Sequence, residues 1–126
     1  MLALVVDDSL SIRLLLTRLL QSRFFTVETA SGGLAALERL RQRPAPDLMV
    51  LDWNMPDLGG LQVLSQARAM PGMENLCVMM ATAETDLSQI SAALEAGVDE
   101  YLMKPFDERS VDEKLELLGF QVAATA

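Results

Sequence analysis

Short apolar runs recur along the chain at a spacing that indicates buried strands. Each run spans four to six residues, which suits a strand and is too short for a core helix. The first and third runs are apolar at every position, as strands with both faces covered are. The second alternates between apolar and polar residues, so we expect it nearer an edge of the sheet. The predicted strands are 2–6, 25–30, 48–51, 77–81 and 100–103.

Between these runs, leucines recur at steps of three and four residues, which is the spacing of one helix face. In the first helical segment Leu10, Leu14, Leu15 and Leu19 share such a face, and we expect it to pack on the sheet. Ser9 or Ser11 is the predicted N-cap of this helix. Similar stripes, also interpreted as core, occupy 34–40, 61–67, 87–94 and 111–118.

Strict alternation of five strands with five helices predicts an α/β fold with a doubly wound parallel sheet, because right-handed crossovers return the chain to the same edge each time. We expect the flavodoxin-like strand order 2-1-3-4-5, in which the first and third strands are neighbours. Since parallel strands end at one edge, the side chains that follow them should meet there. These are Asp7 and Asp8 after the first strand, Asp52 after the third, Thr82 after the fourth and Lys104 after the fifth.

Three carboxylates at one point require a cation. All-oxygen ligation by Asp7, Asp8 and Asp52 is typical of Mg²⁺, so the sequence predicts a magnesium site. Asp52 is the candidate nucleophile, since a phosphoryl group on its carboxylate would need the metal and Lys104 to offset the added charge. Thr82 is placed to donate a hydroxyl hydrogen bond to that group. Singly, each residue has an ordinary role in a turn, a cap or a solvated surface, and only the ordered set indicates chemistry.

The amino-acid composition excludes several kinds of active site and argues against some classes of partner. The chain has 126 residues, the size of one domain, and a formal charge of −8, which disfavours nucleic acid and anionic membranes. It contains no histidine, which excludes serine–histidine triads and histidine metal sites. The single Cys77 cannot form an internal disulfide, and no apolar run approaches a membrane span. We therefore expect a cytoplasmic protein.

The residues at the strand ends resemble the receiver domain of bacterial response regulators, most closely the single-domain chemotaxis regulators of the CheY type. The matching segments are 4–9, 51–56, 81–84 and 101–106, so the resemblance covers nearly the whole chain. It implies that Asp52 accepts a phosphoryl group from a histidine kinase in a two-component phosphorelay, and that Lys104 contacts that group. It further implies that Asp7, Asp8, Asp52 and the backbone carbonyl of Asn54 hold Mg²⁺.

The resemblance also implies a conformational switch. Thr82 and Tyr101 match the family's switch pair, in which the hydroxyl moves towards the phosphoryl group and the aromatic ring fills the vacated space. The surface of the fourth helix, fifth strand and fifth helix then changes, and a downstream protein binds it. Asn54 and Glu84 match positions that tune loss of the phosphoryl group, and Pro105 is expected to follow a cis peptide bond.

Three alternatives remain open on sequence alone. A Mg²⁺-dependent phosphatase of the haloacid dehalogenase type also uses an aspartyl nucleophile, but it places a second aspartate where this chain has Asn54. The chain could instead be a phosphorylation-silent interaction module, or a receiver domain cut from a multidomain regulator. We expect a phosphoacceptor switch that is not a turnover enzyme, with a receiver domain at 1–120 and a short tail at 121–126.

Overall fold

Five strands alternate with five helices in the described part of the chain, which comprises residues 1–83 and 87–122 of a computed structural model. The predicted alternation is confirmed, and each strand begins and ends at the predicted residue or one residue away. The strands are β1 (Leu2–Val6), β2 (Thr26–Ala30), β3 (Leu48–Asp52), β4 (Cys77–Thr82) and β5 (Glu100–Met103). The helices are α1 (Leu10–Gln21), α2 (Gly33–Leu40), α3 (Gly60–Ala69), α4 (Leu87–Ala96) and α5 (Glu108–Leu117).

The sheet is parallel throughout, and its order β2-β1-β3-β4-β5 is the predicted one. β1 and β3 are therefore neighbours, with Val6 beside Leu51 near their carboxyl ends. The chain winds outwards from β1 to β2 and then returns to β3 on the other side of β1. The strand order thus reverses between β1 and β3, and sheets of this kind bind ligands at the carboxyl edge beside such a reversal.

Helices cover both faces of the sheet and form two apolar cores. Along β3, Met49 and Leu51 pack with α2, α3 and α4, whereas Leu48 and Val50 pack with α1 and α5. This alternation explains why the strand is apolar at every position. Because a shift of one residue would exchange the two faces, burial on both sides fixes the register of β3 and the position of Asp52 at its end.

Most of the predicted core face of α1 is wrong, because only Leu19 of its four leucines packs against the core. Leu10 and Leu14 are 61% and 51% exposed and Leu15 is also exposed, whereas Leu16 and Leu20 are fully buried. Seven of the twelve residues of α1 are leucine or isoleucine, so helical spacing alone allows more than one core face. Packing against β1, β2 and α5 selects the face that is buried.

Two other leucines of the predicted core stripes also lie on the surface. Leu34 of α2 and Leu94 of α4 are 61% and 59% exposed, although Leu37, Leu40 and Ala93 on the same stripes are buried. The predicted cap of α1 is confirmed at Ser9, whose side chain accepts the backbone N–H of Ile12 at 3.4 Å. The helices therefore begin where the sequence indicates. The spacing of the leucines, however, predicts wider buried faces than the helices have.

The end of the described chain packs against the core beneath α1 and α5. The ring of Phe120 meets Phe25 edge-on, with centroids 5.2 Å apart, and Val122 contacts the same core. Packing thus extends into the predicted tail, of which residues 123–126 lie outside the described part. The domain boundary itself stays a prediction. None of the described helices has the length and apolar character needed to cross a membrane.

Candidate functional site

Three carboxylates lie together at the carboxyl edge of the sheet, beside the junction of β1 and β3. Asp7 and Asp8 follow β1 and Asp52 ends β3, and one oxygen atom from each lies within 4.8 Å of the others. Asp7 and Asp52 are buried, at 1% and 5% exposure, whereas Asp8 is exposed to solvent. The structure therefore brings together the three acidic residues that the sequence predicts to meet.

The ammonium group of Lys104 pairs with two of these carboxylates. Its Nζ donates hydrogen bonds to Oδ1 of Asp52 at 3.0 Å and to Oδ2 of Asp7 at 3.1 Å. The backbone N–H of Lys104 donates to the carbonyl of Thr82 at 2.8 Å, which fixes where the side chain begins. The Lys104–Pro105 peptide bond is cis. From the end of β5 the lysine side chain reaches across β4 to the acidic cluster.

Burial makes ionisation of Asp52 less favourable than it is in water. Desolvation raises the pKa of Asp52 to about 6, and the negative charge of Asp7 contributes to this rise. The hydrogen bond from Lys104 acts in the opposite direction and lowers the pKa, but desolvation outweighs it. Burial of the Lys104 ammonium opposes its charge, but hydrogen bonds to Asp52 and Asp7 outweigh this and raise the pKa of Lys104. One ammonium facing three carboxylates leaves negative charge that a further cation would neutralise.

Thr82 stands at the same edge, one position beyond the acidic cluster. It is the last residue of β4 and is 1% exposed, and its neighbour Ala81 is the β4 partner of Asp52 in the sheet register. The hydroxyl-bearing residue predicted for the site therefore lies beside the candidate nucleophile. Glu84, the other predicted residue of this segment, lies outside the described residues.

The loop between β3 and α3 carries Asn54, which is exposed. The backbone of Trp53 holds the start of this loop, because its N–H donates to the carbonyl of Ala81 at 3.0 Å and its carbonyl accepts the N–H of Gly60 at 2.9 Å. A Cβ atom on Gly60 would overlap the backbone oxygen of Asp52, so this close approach requires glycine. Gly59 is the N-cap of α3 and provides no side-chain cap.

Two side chains near the site were not predicted. Arg13 donates from Nη1 to the backbone oxygen of Asp7 at 2.8 Å and so fixes the residue that begins the acidic pair. Asp57 accepts the backbone N–H groups of Gly33 and Leu34, each at 3.1 Å, from the first turn of α2. Asp57 and Gly33 lie 24 residues apart, so only the fold brings them together. Arg13 follows Asp7 by six residues, but no sequence pattern indicates that its side chain binds the Asp7 carbonyl.

Tyr101 lies on the surface formed by α4, β5 and α5. Its hydroxyl donates to the carbonyl of Ile90 in α4 at 2.8 Å, and its half-buried ring packs against the core beneath α2, α3 and α4. Burial raises the pKa of Tyr101. On the same surface Lys114 pairs with Glu100 at 3.1 Å. The tyrosine is thus tied to α4 by one hydrogen bond that a movement of the ring would break.

Comparison with known proteins gives a consistent result. A family model described as response regulator receiver domain matches residues 3–116. Chemotaxis protein CheY-3 of Vibrio cholerae is 39% identical over 90% of this chain and 87% of its own length. Chemotaxis protein CheY1 of Helicobacter pylori is 34% identical over 91% of this chain and 94% of its own. The structure of CheY4 of Vibrio cholerae superposes with a TM-score of 0.86 at 29% identity, covering 92% of this chain and 96% of that one.

Proposed function

The chain belongs to the response regulator receiver domain family, and we propose that it is a phosphoacceptor switch whose Asp52 takes a phosphoryl group from a histidine kinase. Membership of the CheY type implies two-component signalling by a protein that is a switch and not a classical enzyme. The observation that carries the proposal is the pairing of Asp52 with Lys104 at 3.0 Å beside Asp7 and Asp8.

The proposed step converts the Asp52 carboxylate to an acyl phosphate. A carboxylate oxygen attacks the phosphorus of a phosphohistidine, so that a P–O bond forms and the P–N bond breaks. The leaving imidazole nitrogen retains the electron pair and takes a proton from solvent. Lys104, which already contacts Asp52 and Asp7, is placed to stabilise the charge added by the phosphoryl oxygens. The hydroxyl of Thr82 donates to one of those oxygens in this proposal.

The donor set at this edge fits Mg²⁺, because three carboxylates offer only oxygen ligands within a small space. In the proposal Asp7, Asp8 and Asp52 hold the ion together with the backbone carbonyl of Asn54. When bound, Mg²⁺ supplies positive charge that offsets the developing charge on the phosphoryl oxygens. The protein's part is to keep two of the carboxylates buried and correctly placed before the ion and the phosphodonor arrive.

We propose that phosphorylation is transmitted through Thr82 and Tyr101 to the surface of α4, β5 and α5. Movement of the Thr82 hydroxyl towards the phosphoryl group would admit the Tyr101 ring and break its hydrogen bond to Ile90. Exposed apolar side chains on the three elements suit a partner that presents an apolar face, such as an amphipathic helix. These side chains are Leu94, Met103 and Leu117, at 59%, 42% and 70% exposure.

The output is proposed to be chemotaxis-like, because both relatives described above are named chemotaxis proteins and each is matched over most of its length. Asn54, which follows the acceptor by two residues and is exposed beside it, is proposed to tune attack of water on the acyl phosphate together with Glu84. The proposed place of action is the cytoplasm, with which the free thiol of Cys77 is compatible.

The exposed leucines of α1 are proposed to contact the kinase. Leu10, Leu14 and Leu15 lie on the helix that begins two residues after Asp8, so a protein that reaches Asp52 from this edge passes beside them. Replacing Leu14 with serine should slow transfer from a kinase that phosphorylates the wild type. The same variant should react normally with acetyl phosphate, which is too small to need a docking surface. Equal loss with both donors would contradict this role.

Acetyl phosphate also tests the acceptor chemistry directly. Incubation of the protein with acetyl phosphate and Mg²⁺, followed by intact-mass spectrometry, should show one added phosphoryl group. Asp52→Asn should show none. Asp47→Asn should behave like the wild type, because Asp47 contacts Leu2 at the opposite edge of the sheet. An unmodified wild type would contradict the proposal, and repeated hydrolysis of an added phosphomonoester would favour a phosphatase instead.

A further inference from the structure

The carboxylate of Asp57 joins the loop after Asp52 to the first turn of α2. Its two oxygens accept the N–H groups of Gly33 and Leu34, each at 3.1 Å. The N-cap of α2 is Gly32, which has no side chain to cap the helix, so Asp57 serves as a cap from a distant part of the chain. These two hydrogen bonds lower the pKa of Asp57 below its usual value, and the one from Leu34 has the larger effect.

Two glycines make room for this contact. A Cβ atom on Gly32 would lie 2.8 and 2.9 Å from the two carboxylate oxygens of Asp57, closer than such atoms approach. A Cβ atom on Gly33 would lie 2.8 Å from the Cβ of Leu58 in the same loop. Gly32 has an extended backbone that any residue adopts, with φ of −170°. Space for Asp57, and not backbone conformation, is therefore what the structure requires at Gly32.

We propose that Asp57 is a positioning residue for the metal site, acting through the loop that carries Asn54. The inference rests on the proposed function, in which the Asn54 carbonyl is a ligand of Mg²⁺. Trp53 fixes the start of the loop through its hydrogen bonds to Ala81 and Gly60. Asp57 fixes the loop three residues beyond Asn54. Held on both sides, the Asn54 backbone keeps one position relative to Asp52, so the ordering of that ligand is completed before the ion binds.

Releasing the Asp57 contact should therefore weaken Mg²⁺ binding. If holding the loop contributes as much as a helix cap of ordinary strength, its loss raises the Kd by about fivefold. The test is a titration of the protein with Mg²⁺ alone, in which the fluorescence of Trp53 is measured after each addition. This residue is the only tryptophan in the sequence and is adjacent to Asp52, so its emission reports directly on the site.

Three variants separate positioning from charge. Asp57→Ala removes both acceptor oxygens, and we expect its Kd to rise by about fivefold. Asp57→Asn removes the charge but keeps one acceptor oxygen, so its Kd should lie between those of the wild type and Asp57→Ala. Gly32→Ala changes no charge and displaces the Asp57 carboxylate with a methyl group, and its Kd should also rise. Asp47→Ala is the matched control, because Asp47 also accepts a backbone N–H, from Leu2 at 2.8 Å, at the opposite edge of the sheet.

The outcomes distinguish this inference from the proposed function. A raised Kd in Asp57→Ala and Gly32→Ala, with the control unchanged, supports positioning by Asp57. A Kd within about twofold of the wild type in both variants, at normal circular dichroism, overturns it. Equal weakening in Asp57→Ala and Asp57→Asn with no change in Gly32→Ala also overturns it, since charge alone then explains the result. If Mg²⁺ does not change the Trp53 fluorescence of the wild type, the proposed metal site is contradicted, and so is the inference that depends on it.

Discussion

Replacing Asp52 with asparagine should make the protein more stable while removing its proposed acceptor. The carboxylate is 5% exposed and lies beside Asp7 and Asp8, so its charge is costly to the folded state when no divalent cation is present. Asparagine keeps the shape of the side chain and removes the charge. The variant would thus separate what the site needs for chemistry from what the fold needs for stability.

The size of the effect follows from the pKa of Asp52. A rise from 3.8 in the unfolded chain to about 6 in the folded protein costs up to about 3 kcal/mol once the group is ionised. Because the folded-state pKa is the higher one, the stability that this group contributes is full below about pH 3.8 and is lost as the pH rises through about 6. Since Lys104 shares in this balance, we expect Asp52→Asn to gain about 1–3 kcal/mol at pH 7.

Urea unfolding in the presence of EDTA measures this gain, at pH 7 and again near pH 4. The difference between Asp52→Asn and the wild type should be largest at pH 7 and should shrink towards pH 4, where the wild-type side chain is itself protonated. Glu74→Gln, which neutralises an exposed carboxylate away from the cluster, should change stability by less than about 0.5 kcal/mol. An Asp52→Asn protein no more stable than the wild type at pH 7, or a gain independent of pH, would show that the buried charge of Asp52 does not destabilise the fold.

Further predictions concern the metal, the lysine and the core. At about ten times its Kd, Mg²⁺ should raise the free energy of unfolding of the wild type by about 1.4 kcal/mol, and Asp8→Asn should reduce this gain in thermal or urea unfolding. Lys104→Met should lower stability at pH 7 by about 1–3 kcal/mol, because the Asp7 and Asp52 carboxylates lose their counter-ion, and urea unfolding should show a smaller loss in an Asp52→Asn background. Leu20→Ala should cost about 2–5 kcal/mol and Leu14→Ala less than about 0.5 kcal/mol in the same assay, since only Leu20 is buried.

The sheet could be predicted from the sequence because its strands are short, apolar and separated by helices. A strand such as Leu48–Asp52 is buried on both faces, so its composition reports its environment without knowledge of its neighbours. Because the strands alternate with helices, their carboxyl ends lie on one edge of the sheet. The same edge therefore carries the residues that come after the strands, which include Asp7, Asp8, Asp52 and Lys104. The order of strands and helices along the chain therefore determines where the acidic residues meet.

Other features depend on contacts that the sequence does not encode locally. The buried face of α1 could not be chosen by spacing, because leucines surround much of the helix and only packing separates Leu16 from Leu14. Asp57 is separated from Gly33 by 24 residues, so its capping of α2 appears only when the loop after β3 meets that helix. Arg13 likewise looks like an ordinary helix-surface arginine until its contact with the Asp7 carbonyl is seen.

The central proposal is that Asp52 carries the phosphoryl group. After reaction with acetyl phosphate and Mg²⁺, borohydride reduction converts an aspartyl phosphate to homoserine, which peptide mass spectrometry locates in the sequence. We expect homoserine at position 52 and at no other aspartate, with the yield lost when Mg²⁺ is omitted. Homoserine at another position, or none at position 52 in a folded wild-type protein that has reacted, would contradict it.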